Sequence, residues 1–150
     1  MAEGILRSLL PPDLAERVSI RSAGTGAIGG VPATALAVKT TAERGIDIGA
    51  HRSTALTGGL VREADLILAM EPDHALRARD LAPEAEARVH LITKLGADPA
   101  DVPAAREAGI RDPIGGAIPE YDDTYHRIRS HLLRWLPSIR EGVLRQEGVR

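Results

Sequence analysis

The stretch Ala64-Asp65-Leu66-Ile67-Leu68-Ala69-Met70 is apolar at every position except Asp65. It shows neither the period of two of a half-buried strand nor the period of 3.6 of an amphipathic helix. A nearly continuous apolar run of strand length reads as a strand buried on both faces, the situation inside a parallel sheet covered by helices. Pro72 follows at once. Its fixed φ and missing N–H suit the first turn of a helix, so a helix is expected from there to about Leu81.

The rest of the chain repeats this alternation. Ile5, Leu6, Leu9 and Leu10 share one face of a helix near 2–10, which Pro11-Pro12 ends. Val18 and Ile20 alternate with Ser19 and Arg21, predicting a short strand that reaches Ser22. Ala23-Gly24-Thr25-Gly26 is a turn. A helix is expected from after Pro32 to about Arg44, with Gly45 as its stop. Residues 46–57 read as a loop and 58–64 as a short helix. Arg88 to Ile92 is a further strand, and 93–118, rich in Gly, Pro and Asp, is loop-like. Tyr121, Tyr125, Ile128, Leu132, Trp135 and Ile139 step by four and three along one face of a last helix, which Pro137 is expected to kink or interrupt. Strands alternating with helices imply an α/β fold, a parallel sheet covered on both sides. The 150 residues suit one domain, 1–150, with a single core. The helix-first start is unusual for such a fold.

Composition narrows the chemistry. There is no cysteine, so disulfides, thiolate metal sites and a cysteine nucleophile are absent from these residues. With 19 basic against 21 acidic residues, there is no electrostatic case for nucleic-acid or anionic-membrane binding. No apolar run approaches the roughly 20 residues that span a bilayer, and no signal-peptide layout opens the chain, so a cytoplasmic location is expected. With one Trp, two Tyr and no Phe, the core must rest on Leu, Ile, Val and Ala. Glu71 and Asp73 flank Pro72, but carboxylates there are simplest as partners of a helix dipole. No metal and no cofactor are expected.

Four short motifs stand out: Met1-Ala2-Glu3, Ser22-Ala23-Gly24-Thr25-Gly26, His51-Arg52-Ser53 and Asp112-Pro113-Ile114-Gly115-Gly116. Each alone is weak, and an Asp-Pro pair is far more often a turn than an acid. Together, in this order, they resemble the low-molecular-weight protein-tyrosine phosphatases. The resemblance runs from Met1 to about Leu136. Gly45-Ile46-Asp47-Ile48, the 64–71 segment, and Tyr121 to Tyr125 after the Asp-Pro loop add to it.

The resemblance implies a three-layer α/β/α fold with a four-stranded parallel sheet in the order 2-1-3-4. It implies an active site in a Cys-x5-Arg-Ser phosphate loop between strand one and helix one. In many members Pro-Met-Ala-Glu comes directly after that loop, and here Met1-Ala2-Glu3 is where the chain starts. The first central strand and the loop are therefore expected to be missing, and the chain as written is expected to be inactive. It is also expected to be unstable, or to close up by sliding strand two against strand three.

In the family the loop thiolate, made available by a helix N-terminus, attacks phosphorus, while an acid protonates the leaving oxygen. Asp112 matches that general acid, later the base for water. Ser22 and His51 match residues that brace the loop, and both are expected to lose their partners without it. Ala27 and Ile28 match the cleft wall. Ile114 stands where many tyrosine-specific members carry Tyr or Trp, and some bacterial relatives with Asp-Pro-x-Gly-Gly act on phosphoarginine. Arsenate reductases of this fold need further cysteines and are excluded. Three readings follow: a phosphatase of phosphotyrosine proteins or small phosphomonoesters, a protein-arginine phosphatase in the intact form, and a non-catalytic remnant or binding module. The oligomeric state is not legible.

Overall fold

The structure is a computed structural model that describes residues 1–94 and 109–147. Six α-helices are described: α1 (Ala2–Leu9), α2 (Pro12–Ala15), α3 (Ala35–Ala42), α4 (Gly58–Glu63), α5 (Pro72–Leu81) and α6 (Ile118–Glu147). Two strands, β1 (Ile67–Ala69) and β2 (Val89–Leu91), pair in parallel with Ile67 opposite Val89 and Ala69 opposite Leu91. Single 3-10 segments at Pro83–Arg88 and Ile92–Lys94 flank β2. Pro12 and Pro72 sit in the first turns of α2 and α5, where no N–H is needed.

Alternate side chains of β1 serve two cores. Leu66 and Leu68 pack on a cluster built by Ile5 of α1, Ala37 of α3, and Tyr121, Tyr125, Ile128, Leu132 and Trp135 of α6. Ile67 and Ala69 pack on the opposite cluster, with Val61 of α4, Ala75 and Ala78 of α5, and Val89 and Leu91 of β2. The sheet thus lies between two helical layers, an α/β arrangement. The alanine-rich face of α5 brings that helix close to the sheet.

Tyr121 and Tyr125 are buried, as their spacing predicts. Trp135 donates its indole N–H to the Ile92 carbonyl at 2.8 Å, giving the one large ring a polar partner inside the core. A Cβ at Gly4 would lie 2.7 Å from Ile48 Cγ2 and force it to shift, so α1 rests closely on the 46–48 segment.

Several expectations need correction. Residues 18–22 form no strand ladder: the backbone has no sheet partner among the described residues. The segment is held instead by Ile20 in a small cluster with Leu10 and Leu14, by Arg7 Nη2 donating to the Ile20 carbonyl, and by an Arg21–Glu63 ion pair at 3.2 Å. Local alternation thus sets which side chains turn inward, but a ladder also needs a neighbour. For the same reason the two expected strands shrink to three residues each. Ile67 and Leu68 are only half-buried, since β1 has a strand on one side alone. Residues 18–22 have not slid onto β1, which among the described residues pairs only with β2.

The helix expected after Pro32 begins at Ala35, where the Thr34 hydroxyl accepts from the Ala37 N–H at 3.2 Å. Pro137 does not interrupt α6. Its missing hydrogen bond falls on the exposed side of the helix, where both Pro137 and Leu133 are exposed. Most of the expected 93–118 loop, residues 95–108, lies outside the described residues. The short helix α2 and the 3-10 turn at 83–88 had no clear sequence signal.

Candidate functional site

The N-terminal turn of α1 is the meeting point of segments distant in sequence. Glu3 lies in that turn, where a carboxylate opposes the positive end of the helix. Four residues on, Arg7 reaches back along the same face to Glu3 Oε1 at 3.1 Å. The other carboxylate oxygen, Oε2, accepts from the Ser22 hydroxyl at 2.6 Å and lies 3.8 Å from His51 Nδ1. One side chain thus ties α1, the 18–22 segment and the 51–54 loop together.

Burial would raise the Glu3 carboxyl. The Ser22 and Arg7 hydrogen bonds, with the charges of His51 and Arg7, outweigh it and hold Glu3 below the ordinary carboxylate range. This corrects the expectation for Ser22 and His51: both have a partner, and it is Glu3. The signal lay in the sequence as the Glu3–Arg7 pair at a helix spacing of four, but nothing local tied it to Ser22 or His51.

Around this cluster opens a cleft of about 330 Å³ whose walls include Arg7, Ile20, Ser22, His51, Arg52 and Leu60. The lining holds three arginines, Arg7, Arg21 and Arg52, and one carboxylate, Glu3; of the three, Arg7 pairs with Glu3 and Arg21 with Glu63. Arg52 is pinned to its own loop, donating to the His51 and Gly49 carbonyls at 2.8 and 3.2 Å.

Asp112 does not line this cleft. Its charge acts on the Met1 amino group at the N-terminus of α1. Burial lowers that amine from its ordinary value, and the Glu3 and Asp112 carboxylates pull it the other way. The Asp112 loop is built by local rules and by one anchor. Asp112 Oδ1 accepts from the Ile114 N–H at 2.9 Å, a side-chain-closed turn. Gly115 takes φ +82, open to glycine at no steric cost. The anchor is Ile110, whose N–H donates to the Met70 carbonyl at 2.7 Å, so the loop hangs from the C-terminal end of β1. Asp112 is exposed.

None of the three residues expected on the cleft wall lines this cleft: Ile28 is 79% exposed and Ile114 68% exposed, two large aliphatic groups standing in solvent. Ala27 is half-buried beneath its own turn, its N–H donating to the Gly24 carbonyl. Glu71 stands at the N-cap position of α5 without a side-chain capping bond, and Asp73 lies in its first turn. Among the described residues no three His, Asp or Glu side chains gather as metal ligands. No described helix is long and apolar enough to cross a membrane.

Comparison with known proteins meets this geometry. The family model described as "Low molecular weight phosphotyrosine protein phosphatase" matches residues 1–145. A protein of Ralstonia nicotianae named "Probable low molecular weight protein-tyrosine-phosphatase EpsP" is 34% identical over 140 residues, covering 93% of this chain and 86% of its own. Among solved structures, the YwlE arginine phosphatase from Geobacillus stearothermophilus superposes with a TM-score of 0.78 at 26% identity, over 96% of this chain and 86% of that one. Wzb of Vibrio vulnificus, solved with benzylphosphonate, gives 0.72 at 27% identity, over 89% and 85%. The match spans the α1 turn, the Ser22 and His51 segments and the Asp112 loop alike, and by it this chain belongs to the low-molecular-weight phosphotyrosine protein phosphatase family.

Proposed function

We propose that residues 1–150 form one phosphatase-type domain that carries the acid half of phosphomonoester hydrolysis, with Asp112 as general acid and base. The observation that supports this is the setting of Asp112: exposed, on a closed turn, hung from the end of β1, and near enough to the N-terminus of α1 for its charge to act on the Met1 amine. None of the 150 residues is cysteine, so the thiolate comes from a segment outside them. In the first step its sulfur attacks phosphorus, the bond from phosphorus to the leaving oxygen breaks, and the Asp112 carboxyl proton passes to that oxygen. In the second, water attacks phosphorus, the Asp112 carboxylate takes the water proton, and the P–S bond breaks to return the thiolate. Ser22 and His51, gathered on Glu3, position the segment that holds the thiolate. Phosphorylated protein is the substrate, in keeping with the tyrosine-phosphatase names of the relatives.

Specificity has a second reading. Ile114 is aliphatic and exposed beside Asp112, and offers no aromatic face for a phosphotyrosine ring. The likeness to YwlE supports phosphoarginine as the substrate on that ground. Comparing turnover of phosphoarginine and phosphotyrosine peptides by the chain joined to a Cys-x5-Arg-Ser segment decides between them. A cytoplasmic location is part of the proposal, and fractionation of expressing cells tests it.

A further inference from the structure

The peptide group between Gly109 and Ile110 is held at both of its polar ends. Its N–H donates to the Met70 carbonyl at 2.7 Å. Its C=O accepts from Arg127 Nη2 of α6 at 2.9 Å. A peptide group is planar, so bonds on its two opposite edges fix its tilt as well as its place. Gly109 lets the backbone come this close. A Cβ there would lie 2.6 Å from the Met70 carbonyl oxygen and 3.0 Å from Glu71 Cα, both backbone atoms just past β1. The Ile110 side chain is buried in the core cluster that α6 builds with Tyr121, Tyr125 and Ile128.

Only Arg111 separates Ile110 from Asp112. Beyond Asp112 the loop bonds to itself: the Ile114 N–H donates to Asp112 Oδ1 and the Gly116 N–H to the Pro113 carbonyl, each at 2.9 Å. Such internal bonds shape the turn without aiming it. Its aim is set where the loop meets the rest of the fold. At the exit, the Ala117 N–H donates to Glu120 Oε2 in the first turn of α6 at 3.0 Å. At the entry, α6 reaches the loop again through Arg127, about two and a half turns further along the helix. One helix thus grips the loop at both ends. The charged donor makes the entry bond stronger than a neutral one.

We propose that Arg127 is a positioning residue for Asp112: by holding the Gly109 carbonyl it fixes the tilt of the peptide from which the acid loop leaves the core. Arg127 meets no reacting atom in this role. It sets where the Asp112 carboxyl stands. The effect on catalysis rests on the reading of Asp112 as general acid; the hold on the loop does not.

The hold is tested by amide hydrogen exchange in the 150-residue chain. Arg127→Gln removes the charge and shortens the reach. Exchange at Ile110 and Ile114 should quicken at least about tenfold, as for the loss of one charge-assisted bond. The Ile128 and Leu132 amides in the middle of α6 should keep their rates. Arg127→Lys keeps a charged donor on a shorter stem, so it should quicken the same two amides less, and it carries the test alone should Arg127→Gln not fold. Unchanged exchange at Ile110 and Ile114, equal quickening throughout α6, or failure of both variants to fold overturns the proposal. The effect on chemistry is read as kcat/KM in the chain joined to a Cys-x5-Arg-Ser segment. Phenyl phosphate needs a proton on its leaving oxygen, whereas dinitrophenyl phosphate releases a stable anion. Arg127→Gln should lower the first about tenfold and leave the second within about twofold, with Asp112→Asn as the reference. If Asp112→Asn shows this leaving-group dependence and Arg127→Gln does not, the proposal falls and the functional reading stands. If neither shows it while exchange at Ile110 and Ile114 quickens, the hold on the loop stands and the functional reading falls.

Discussion

The Ser22 hydroxyl donates to Glu3 Oε2 across 2.6 Å, joining a residue of the unladdered 18–22 segment to the first turn of α1. The same oxygen faces His51, and the opposite one faces Arg7. Glu3 is the shared partner of three segments, so its loss should be felt in all of them.

Glu3→Gln is expected to lower stability by about 1–2 kcal/mol at neutral pH, the range for hydrogen bonds to a partly buried charged group. Glu3 is held below its ordinary value in the folded chain. Its contribution is therefore fully present above the unfolded value near 4.3 and is lost as pH falls through the lower folded value. Urea melts across pH should show wild type and variant converging on acidification. A difference that persists unchanged into strong acid would contradict the assignment.

The Ser22–Glu3 bond should also appear as coupling. Ser22→Ala, Glu3→Gln and the double variant make a cycle in which the interaction energy is at least about 0.5 kcal/mol. Additive losses would mean that the two residues act apart.

Trp135 sits at the centre of the core that holds α6 against the sheet. Trp135→Phe keeps most of the ring but leaves the buried Ile92 carbonyl without its donor. Destabilisation of about 1–3 kcal/mol is expected, measured by circular dichroism. A neutral substitution would show that water replaces the indole there.

Ile114 tests specificity. In the chain joined to a Cys-x5-Arg-Ser segment, Ile114→Trp should raise turnover of phosphotyrosine relative to phosphoarginine peptides, because a ring stacked on a ring is worth about 0.5–1.5 kcal/mol. An unchanged ratio would move the specificity determinant elsewhere.

The half-built sheet bears on stability itself. With one edge of β1 open and 18–22 unladdered, the 150-residue chain should melt below the range of about 45–65 °C usual for mesophilic domains. A cooperative, reversible transition inside that range refutes the expectation.

What could be read from the sequence was what local pattern determines. The 64–70 run holds β1, half-buried for most of its length, α5 starts at Pro72, and the four-three face of α6 is buried from Tyr121 to Trp135. The 18–22 segment shows the limit. Its alternation correctly turned Ile20 inward, yet a ladder depends on a neighbour that no local pattern reports. Pro137 shows another: the cost of a helical proline depends on whether the freed carbonyl meets water, which tertiary packing decides. At the site, Ser22 and His51 were legible as candidates through the family resemblance. Glu3 as their common anchor was not, because its partners come from separate parts of the chain.

The central claim is that Asp112 serves a nucleophile supplied from outside these 150 residues. Its most direct test is covalent phosphate trapping and hydrolysis of para-nitrophenyl phosphate by two proteins: the chain as it stands, and the same chain with a strand and Cys-x5-Arg-Ser-Pro segment joined ahead of Met1. The account predicts no trapping and no turnover by the first. It predicts both by the second, with turnover falling about 10²–10⁴-fold in Asp112→Asn. Turnover by the 150-residue chain alone, abolished by Asp112→Asn, would contradict it.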